Sequence, residues 1–398
     1  MKILSVNAGS SSLKFTLFEM PEGKELIGGY FEKIGLEDSF YNIKMNGEKT
    51  KHVVFVKDHA EAVRMLINEL IDNKVIESLE DLDGIGHRLV HGGEKYTDSV
   101  LIDDEVIKTV TELIPLAPLH NLANLTGVKA FMDALPSTPN VGVFDTAFHQ
   151  TMAKEQFLYS MPLSWYNDYK VRKYGFHGTS HKFITKTMKE ILKKDDVNLI
   201  ICHIGSGGSL CAVKDGKSFD TTMGFTPNAG IMMGTRSGDI DYSVIPYIMK
   251  NANMTLEEVD NTLNKKSGLL GISGSSDCRD VEDAIAAGNK EAKLAYDMYV
   301  ERIASYVATY YMKLEGKIDA LVLTAGVGEN GSGFRKDLVE KLSCFGIKLN
   351  DEVNNTIASF KSVHSGIITT NDSKFPVYVV PTDEELMIAT DTYNIINK

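Results

Sequence analysis

One local pattern occurs twice in this chain: an apolar strand runs into a Gly/Ser turn and out into a second strand. Residues 3–15 read ILSVNAGSSSLKF, and residues 199–213 read LIICHIGSGGSLCAV. Two strands joined by so short a turn must pair antiparallel, so each copy nucleates a hairpin. Small residues at the turn let the backbone approach an anion, and the N–H and hydroxyl groups there donate to phosphate oxygens. Two copies imply two halves of similar design, both facing one polyphosphate, which points to phosphoryl transfer.

With 398 residues the chain is long enough for two domains with substantial cores. The first half alternates strand-type segments with turns, at 3–6, 13–19, 25–30, 41–45 and 51–56, with Asn46-Gly47 as a hairpin signal. Apolar spacing at Ala62, Val63, Leu66 and Ile67 predicts a helix over 58–72. A strand at 84–90, helices near 103–114 and 119–134, and a buried strand at 140–144 ending on Asp145 follow. The second half repeats the plan with strands at 198–204, 209–214 and 217–222, then helices near 240–250, 255–265 and 280–314. A strand at 318–324 leads into a Gly-rich turn, a helix starts near Gly333, and a strand at 377–380 precedes a closing helix at 383–396. Thr382 is placed to cap that helix, with Glu385 completing a capping box. Hairpins followed by βα units argue for α/β layers. The absence of GxGxxG after the first strand argues against an all-parallel dinucleotide-binding sheet.

The formal net charge is −12, a surface that repels nucleic acid and anionic membranes. An anionic substrate must then be held by locally placed cations, which singles out isolated Arg and His residues. No run approaches the roughly 18 apolar residues of a membrane span, and the apolar start is too short for a signal peptide. Cys202, Cys211, Cys278 and Cys344 form no CxxC pair and read as reduced thiols, which suits the cytoplasm.

In the first turn, Asn7, Gly9, Ser12 and Lys14 favour phosphate contact over a merely polar hairpin tip; GxxxxGK[ST] is absent, so this is not a P-loop. Arg88, between His87 and His91 at the end of an apolar strand, is suited to grip carboxylate or phosphate in bidentate fashion, the bland reading being an exposed strand end. Asp145 stands at the carboxyl end of a buried strand, where ligands gather in α/β sheets, and is either a magnesium ligand or a turn former. His177 and His181 are four apart, but glycines argue against helix before Ser180 and no third zinc ligand is evident. His177 therefore reads as a hydrogen-bond donor to transferring phosphate. Arg236, between Gly234 and Gly238, is weak alone; with Arg88 it supplies a second cation from the other half to neutralise a γ-phosphoryl group and a carboxylate nucleophile in one cleft. Gly326 and Gly328, after a strongly apolar strand, leave room for a nucleotide.

Together these segments resemble the acetokinase family over nearly the whole chain, in matching order: NAGSSSLKF at 7–15, GHRLVHGGE at 86–94, PLAPLHN at 115–121, FDTAFH at 144–149, YGFHGTSH at 174–181, MGTRSGDID at 233–241, TAGVGEN at 324–330 and PTDEELMIATDT at 381–392. The resemblance implies an actin-like ATPase fold, α/β, with two duplicated ribonuclease-H-like domains flanking a cleft. It implies a first domain of 1–150 plus a returning helix at 383–398, a second domain of 151–382 for nucleotide binding and dimerisation, and a homodimer. It implies reversible phosphorylation of acetate by ATP to acetyl phosphate with Mg2+, or Mn2+ as substitute. Arg88 and Arg236 resemble the arginines that hold carboxylate and phosphoryl group. His177 resembles the transition-state stabiliser, Asn7 the asparagine near metal and phosphates, and Asp145 and Glu384 the acidic residues acting through the metal. His120 and His203 match two further active-site histidines. Val90, Leu119, Phe176 and Pro227 resemble the pocket around the acetate methyl. Asp277, Arg279, Gly326 and Asn330 resemble the adenosine site, which Gly328 adjoins, with Ser12, Lys14, His203, Ser206, Gly207 and Gly208 toward the phosphates. Two positions depart: Ser206 stands where the family usually has Asn, and Tyr242 where it usually has Pro. The shorter serine weakens the phosphate contact or routes it through water. Propionate or butyrate as acceptor, pyrophosphate as donor, and an actin-like ATPase binding module are the alternatives.

Overall fold

A computed structural model describes residues 1–398, the Leu119 side chain excepted. The chain forms two compact units, one of Met1–Gln150, Gly178–Ser180 and Asp383–Lys398, the other of Thr151–His177 and His181–Thr382.

The first unit is built on strands β1 (Lys2–Ala8), β2 (Ser12–Glu19), β3 (Lys24–Glu32), β4 (Phe40–Met45), β5 (Glu48–Val53), β6 (Gly84–Leu89), β7 (Val100–Leu101) and β8 (Asn140–Phe144). They lie in the order β5-β4-β3-β2-β1-β6-β8-β7. β1 to β5 form an antiparallel meander, while β1, β6 and β8 run parallel. The parallel strands are apolar and nearly all buried, as strands covered on both faces must be. Leu4, Val6, Phe15 and Phe31 pack one face against the helix His59–Asp72 and Phe131. The opposite face receives the closing helix Glu384–Ile396, which seats Ala389 on Ile3 and Ile388 on Val141 and Val143. That helix lies so close to β6 that a Cβ on Gly86 would stand 2.2 Å from Thr392 Oγ1. Only glycine admits the contact.

The second unit carries β9 (Leu199–Ile204), β10 (Gly208–Lys214), β11 (Lys217–Thr221), β12 (Ala320–Thr324), β13 (Gly366–Ile367) and β14 (Val377–Val379), ordered β11-β10-β9-β12-β14-β13. Its first three strands are antiparallel, and β9, β12 and β14 are parallel. The core order of the first unit, β3-β2-β1-β6-β8, thus recurs as β11-β10-β9-β12-β14, which is the duplication expected from the paired hairpins. The mixed α/β class with two such sheets holds.

Several local expectations are corrected. The two-residue turn Asn46-Gly47, with both φ positive, fixes the register so that β5 begins at Glu48 and not at 51. The helix expected over 280–314 is two, Cys278–Ala286 and Lys290–Lys313, broken at Gly288 (φ +86°), with Asn289 capping the second. Asp383, not Thr382, caps the closing helix, accepting from the Leu386 N–H. The turn after β12 is itself a short helix, Ala325–Asn330. The helix expected from Ser180 starts at Gly178, with His177 in the left-handed region at its N-cap (φ +57°). Among the described residues no helix is long and apolar enough to cross a membrane.

Candidate active site

In the first unit, parallel pairing brings Arg88 and Asp145 together. Arg88 is opposite Val143 in register, and the Asp145 N–H donates to Leu89 O at 2.9 Å. Both side chains therefore leave the carboxyl ends of neighbouring strands, where no further strand residues cover them. Arg88 Nη2 donates to Asp145 Oδ2, and Arg88 Nε lies 4.0 Å from Glu384 Oε2. Asp145 is 1% exposed and also accepts from Thr179 Oγ1 at 3.0 Å. Burial works against the Arg88 charge, but Asp145 and Glu384 more than offset it, and its pKa lies above the ordinary arginine value. Burial, and next the Asp145 charge, push the Glu384 carboxyl up to about 7. Gly178 closes over this group: its N–H donates to Asp145 O at 2.8 Å, and a Cβ there would stand 2.1 Å from that oxygen.

The first Gly/Ser turn is buttressed from behind. Gly9 N–H donates to Ser12 O at 2.9 Å, His59 Nε2 lies 2.8 Å from Gly9 O, and Asn124 Nδ2 donates to Ala8 O at 2.9 Å. Asn7 pairs in register with Lys14 and is half-buried, as is Ser12. Lys14 forms an ion pair with Glu385, so its ammonium is directed to the closing helix. Val90 is buried just beyond β6, its N–H donating to Asn124 Oδ1. His120 is exposed on the helix Pro118–Ala134, and the Leu119 side chain lies outside the described residues.

In the second unit, the second turn brings His177, His203 and Arg236 together. His177 and His203 stack with ring centroids 4.2 Å apart. A Cβ on Gly207 would lie 3.7 Å from His177 Nε2 and 3.3 Å from Arg236 Nη1, so both face this turn. Arg236 Nη1 donates to Pro227 O at 3.2 Å, and burial lowers its pKa. Phe176 is buried and Pro227 half-buried. The turn is pinned by Gly205 N–H to Gly207 O and Gly234 N–H to Ser206 O, both 3.0 Å. Gly208 packs on Ile231.

Beside the turn opens a cavity of about 540 Å³ lined by Ser206, Asp277, Arg279, Gly326 and Asn330, with Tyr299 and Phe360 supplying aromatic walls. That is room for a drug-sized ligand. A Cβ on Gly326 would meet nothing within 4 Å, so this glycine leaves space, whereas Gly328 packs against Leu323. Asp277 caps the helix Cys278–Ala286 and grips the exposed Arg279, which holds its carboxyl down at about 2. The Asn330 amide is committed to Gly326 O and to Ser359.

The sequence matches the family described as Acetokinase family over residues 2–390. An acetate kinase of Bacillus cytotoxicus is 50% identical over 399 residues, covering 100% of this chain and 99% of its own. The crystal structure of Porphyromonas gingivalis acetate kinase is 46% identical, covers 99% of each chain and superposes with a TM-score of 0.94. That of a propionate kinase from Francisella tularensis is 40% identical, with the same coverage and a TM-score of 0.93. The chain belongs to the acetokinase family. It is an enzyme, a kinase with a carboxyl group as acceptor.

The residues singled out in the sequence divide between the units. Asn7, Ser12, Lys14, Arg88, Val90, Asp145 and Glu384 belong to the first; Phe176, His177, His203, Ser206, Gly207, Gly208, Pro227, Arg236, Asp277, Arg279, Gly326, Gly328 and Asn330 belong to the second. Among the described residues no three His, Cys, Asp or Glu side chains cluster as metal ligands. Two carboxylates, Asp145 and Glu384, crowd one guanidinium. That donor set fits magnesium, which takes one or two carboxylates and completes its shell with water and phosphate oxygens.

Three buried polar residues were not singled out in the sequence. Glu329 is 8% exposed and accepts from Ala325 N–H (2.8 Å) and Thr382 N–H (3.1 Å), and burial raises its pKa. Arg335 is wholly buried and holds the carbonyls of Gly328 and Glu329. Ser209 is a wholly buried serine in an otherwise apolar strand, which was the available signal.

Proposed function

We propose that this acetokinase transfers the γ-phosphoryl group of ATP reversibly to acetate, giving acetyl phosphate and ADP. A carboxylate oxygen attacks phosphorus in line, the bond to the β,γ-bridging oxygen breaks, and ADP leaves with the electron pair. Acetate is already ionised, so no general base is required. The barrier lies in bringing anions together. Arg88 and Arg236 act on this one reaction: Arg88 holds the acceptor carboxylate, while Arg236 and His177 stabilise the equatorial oxygens of the transferring group. The observation that carries the reading is the convergence of Arg236 and His177 on Gly207, in a Gly/Ser turn beside a nucleotide-sized cavity.

Asp145, Glu384 and Asn7 would hold Mg2+, with Mn2+ as substitute; bound there it neutralises phosphate charge. The cavity beside Ser206 receives adenosine, which favours ATP over pyrophosphate. Phe176 and Pro227 give the methyl group an apolar wall within the second unit and keep the acceptor small, and Val90 is the apolar residue assigned to it in the first. The domains are 1–150 with 383–398, and 151–382, except that the short run Gly178–Ser180 packs with the first. The second pairs two copies into a homodimer; its helices Leu163–Tyr169 and Val244–Asn251 have no buried residue and expose Trp165, Tyr169 and Tyr247. Four free cysteines, three of them buried, support a reducing cytoplasm.

Hydroxylamine trapping of acyl phosphate tests the reaction, run with acetate, propionate and butyrate and with ATP against pyrophosphate. Acetate with ATP is expected to give the highest kcat/KM. ATP hydrolysis indifferent to added acid would sink the proposal in favour of a nucleotide-driven binding module.

A further inference from the structure

Ser209 lies wholly buried in β10 between two imidazoles. Its Oγ is 2.9 Å from His177 Nδ1 and 2.8 Å from His181 Nε2. A hydroxyl has one proton, so it donates to one ring and accepts from the other. If Ser209 donates to His177 Nδ1 and accepts from His181 Nε2–H, a neutral His177 carries its proton on Nε2. If the chain of donors runs the other way, His177 carries the proton on Nδ1 and presents a lone pair at Nε2.

The position of Gly207 chooses between them. The His177 edge formed by Cε1 and Nε2 faces this turn, 3.7 Å from where a Gly207 Cβ would stand, with Arg236 Nη1 beside it. A phosphoryl oxygen arriving at the turn is attracted by an N–H there and repelled by a lone pair. In a neutral ring the tautomer is set by the bond that the other nitrogen makes.

We infer that Ser209, oriented by His181, is a positioning residue that holds His177 in its Nε2–H tautomer and so aims a proton donor at the transferring phosphoryl group. The inference rests on the role given to His177 above. It gives the buried pair His181–Ser209 a purpose that neither packing nor the peptide ladder requires. It also explains a spacing that resembled a metal pair: His177 and His181 share one hydroxyl.

Ring-nitrogen chemical shifts of the full chain labelled with 15N-histidine read the tautomer directly, with His177 assigned by the signal lost in His177→Ala. The native protein is expected to show Nε2–H at His177, a measurement that needs no Ser209 variant to fold. Ser209→Ala is expected to lower kcat about tenfold, the scale of one buried hydrogen bond, with KM for ATP within twofold. Ser209→Thr restores most of the loss, and in the His177→Ala background Ser209→Ala has no further effect. An Nδ1–H tautomer in the native protein, native kcat in Ser209→Ala, or losses that multiply in the double variant would each overturn the inference. Native kcat in His177→Ala would instead remove the role assigned to His177 itself.

Discussion

Replacing Arg335 by Met removes a buried cation that holds the carbonyls of Gly328 and Glu329, beside the cavity. The guanidinium is 0% exposed and donates to five oxygens: Nε to Asn354 Oδ1 (2.8 Å), Nη1 to Gly328 O (3.2 Å) and Glu329 O (2.6 Å), and Nη2 to Asn354 O (2.7 Å) and Ile357 O (2.9 Å). These partners are neutral, so no carboxylate charge repays the burial. The cost shows in its pKa, brought from 12.5 down to about 10 by desolvation. That shift is worth about 3 kcal/mol against folding. Met retains the apolar stem and relieves that cost, but it leaves five acceptors without a donor. At about 1–2 kcal/mol for each, less what water entry and relaxation recover, the loss exceeds the relief. A net destabilisation of about 2–4 kcal/mol is expected, read as a lowered urea midpoint with unchanged slope. Arg335→Lys, whose three donors meet only some of the acceptors, should fall between. Because Gly328 and Glu329 belong to the turn beside the cavity, KM for ATP should rise about tenfold in the Met variant while KM for acetate stays within twofold. A Met variant with native urea midpoint and native KM for ATP would refute the reasoning.

Arg88→Ala and Arg236→Ala should each lower turnover by roughly 10³ or more, measured by acyl phosphate trapping. Near-native turnover in either removes its assignment. Arg88→Ala should also lose about 3 kcal/mol in urea unfolding, because it strands the buried Asp145, whereas Arg236→Ala should stay near native stability. Gly178→Ala places a methyl 2.1 Å from the Asp145 carbonyl, so it should cost more than about 2 kcal/mol and most of the activity; a native variant would disprove the close approach. His87 is wholly enclosed, and burial lowers its pKa from 6.5 to about 4. The unfolded chain thus takes up a proton below pH 6.5 that the folded chain refuses until about pH 4, so stability falls as pH drops through that window, by up to about 3 kcal/mol. His87→Gln should flatten the urea midpoint across pH 4–6.5, and an unchanged slope would show that His87 is not the group responsible.

What was legible in the sequence was local. The two hairpins, the apolar parallel strands and the order of motifs follow from alternation and turn chemistry, which act between near neighbours. Arg88, Asp145, His177 and Arg236 stood out because a charged or imidazole side chain at a strand end or among glycines has no packing role. The breaks were misplaced where one backbone dihedral decides, as at Gly288 and at His177. Tertiary structure alone decided the partners. Parallel register sets Arg88 against Asp145, and the returning helix adds Glu384. In the sequence, Ser209 and Arg335 are one serine of a strand and one arginine of a helix, with nothing to set their roles apart. Their roles come from polar groups distant in sequence whose burial leaves each with no solvent to turn to, and nothing local encodes that.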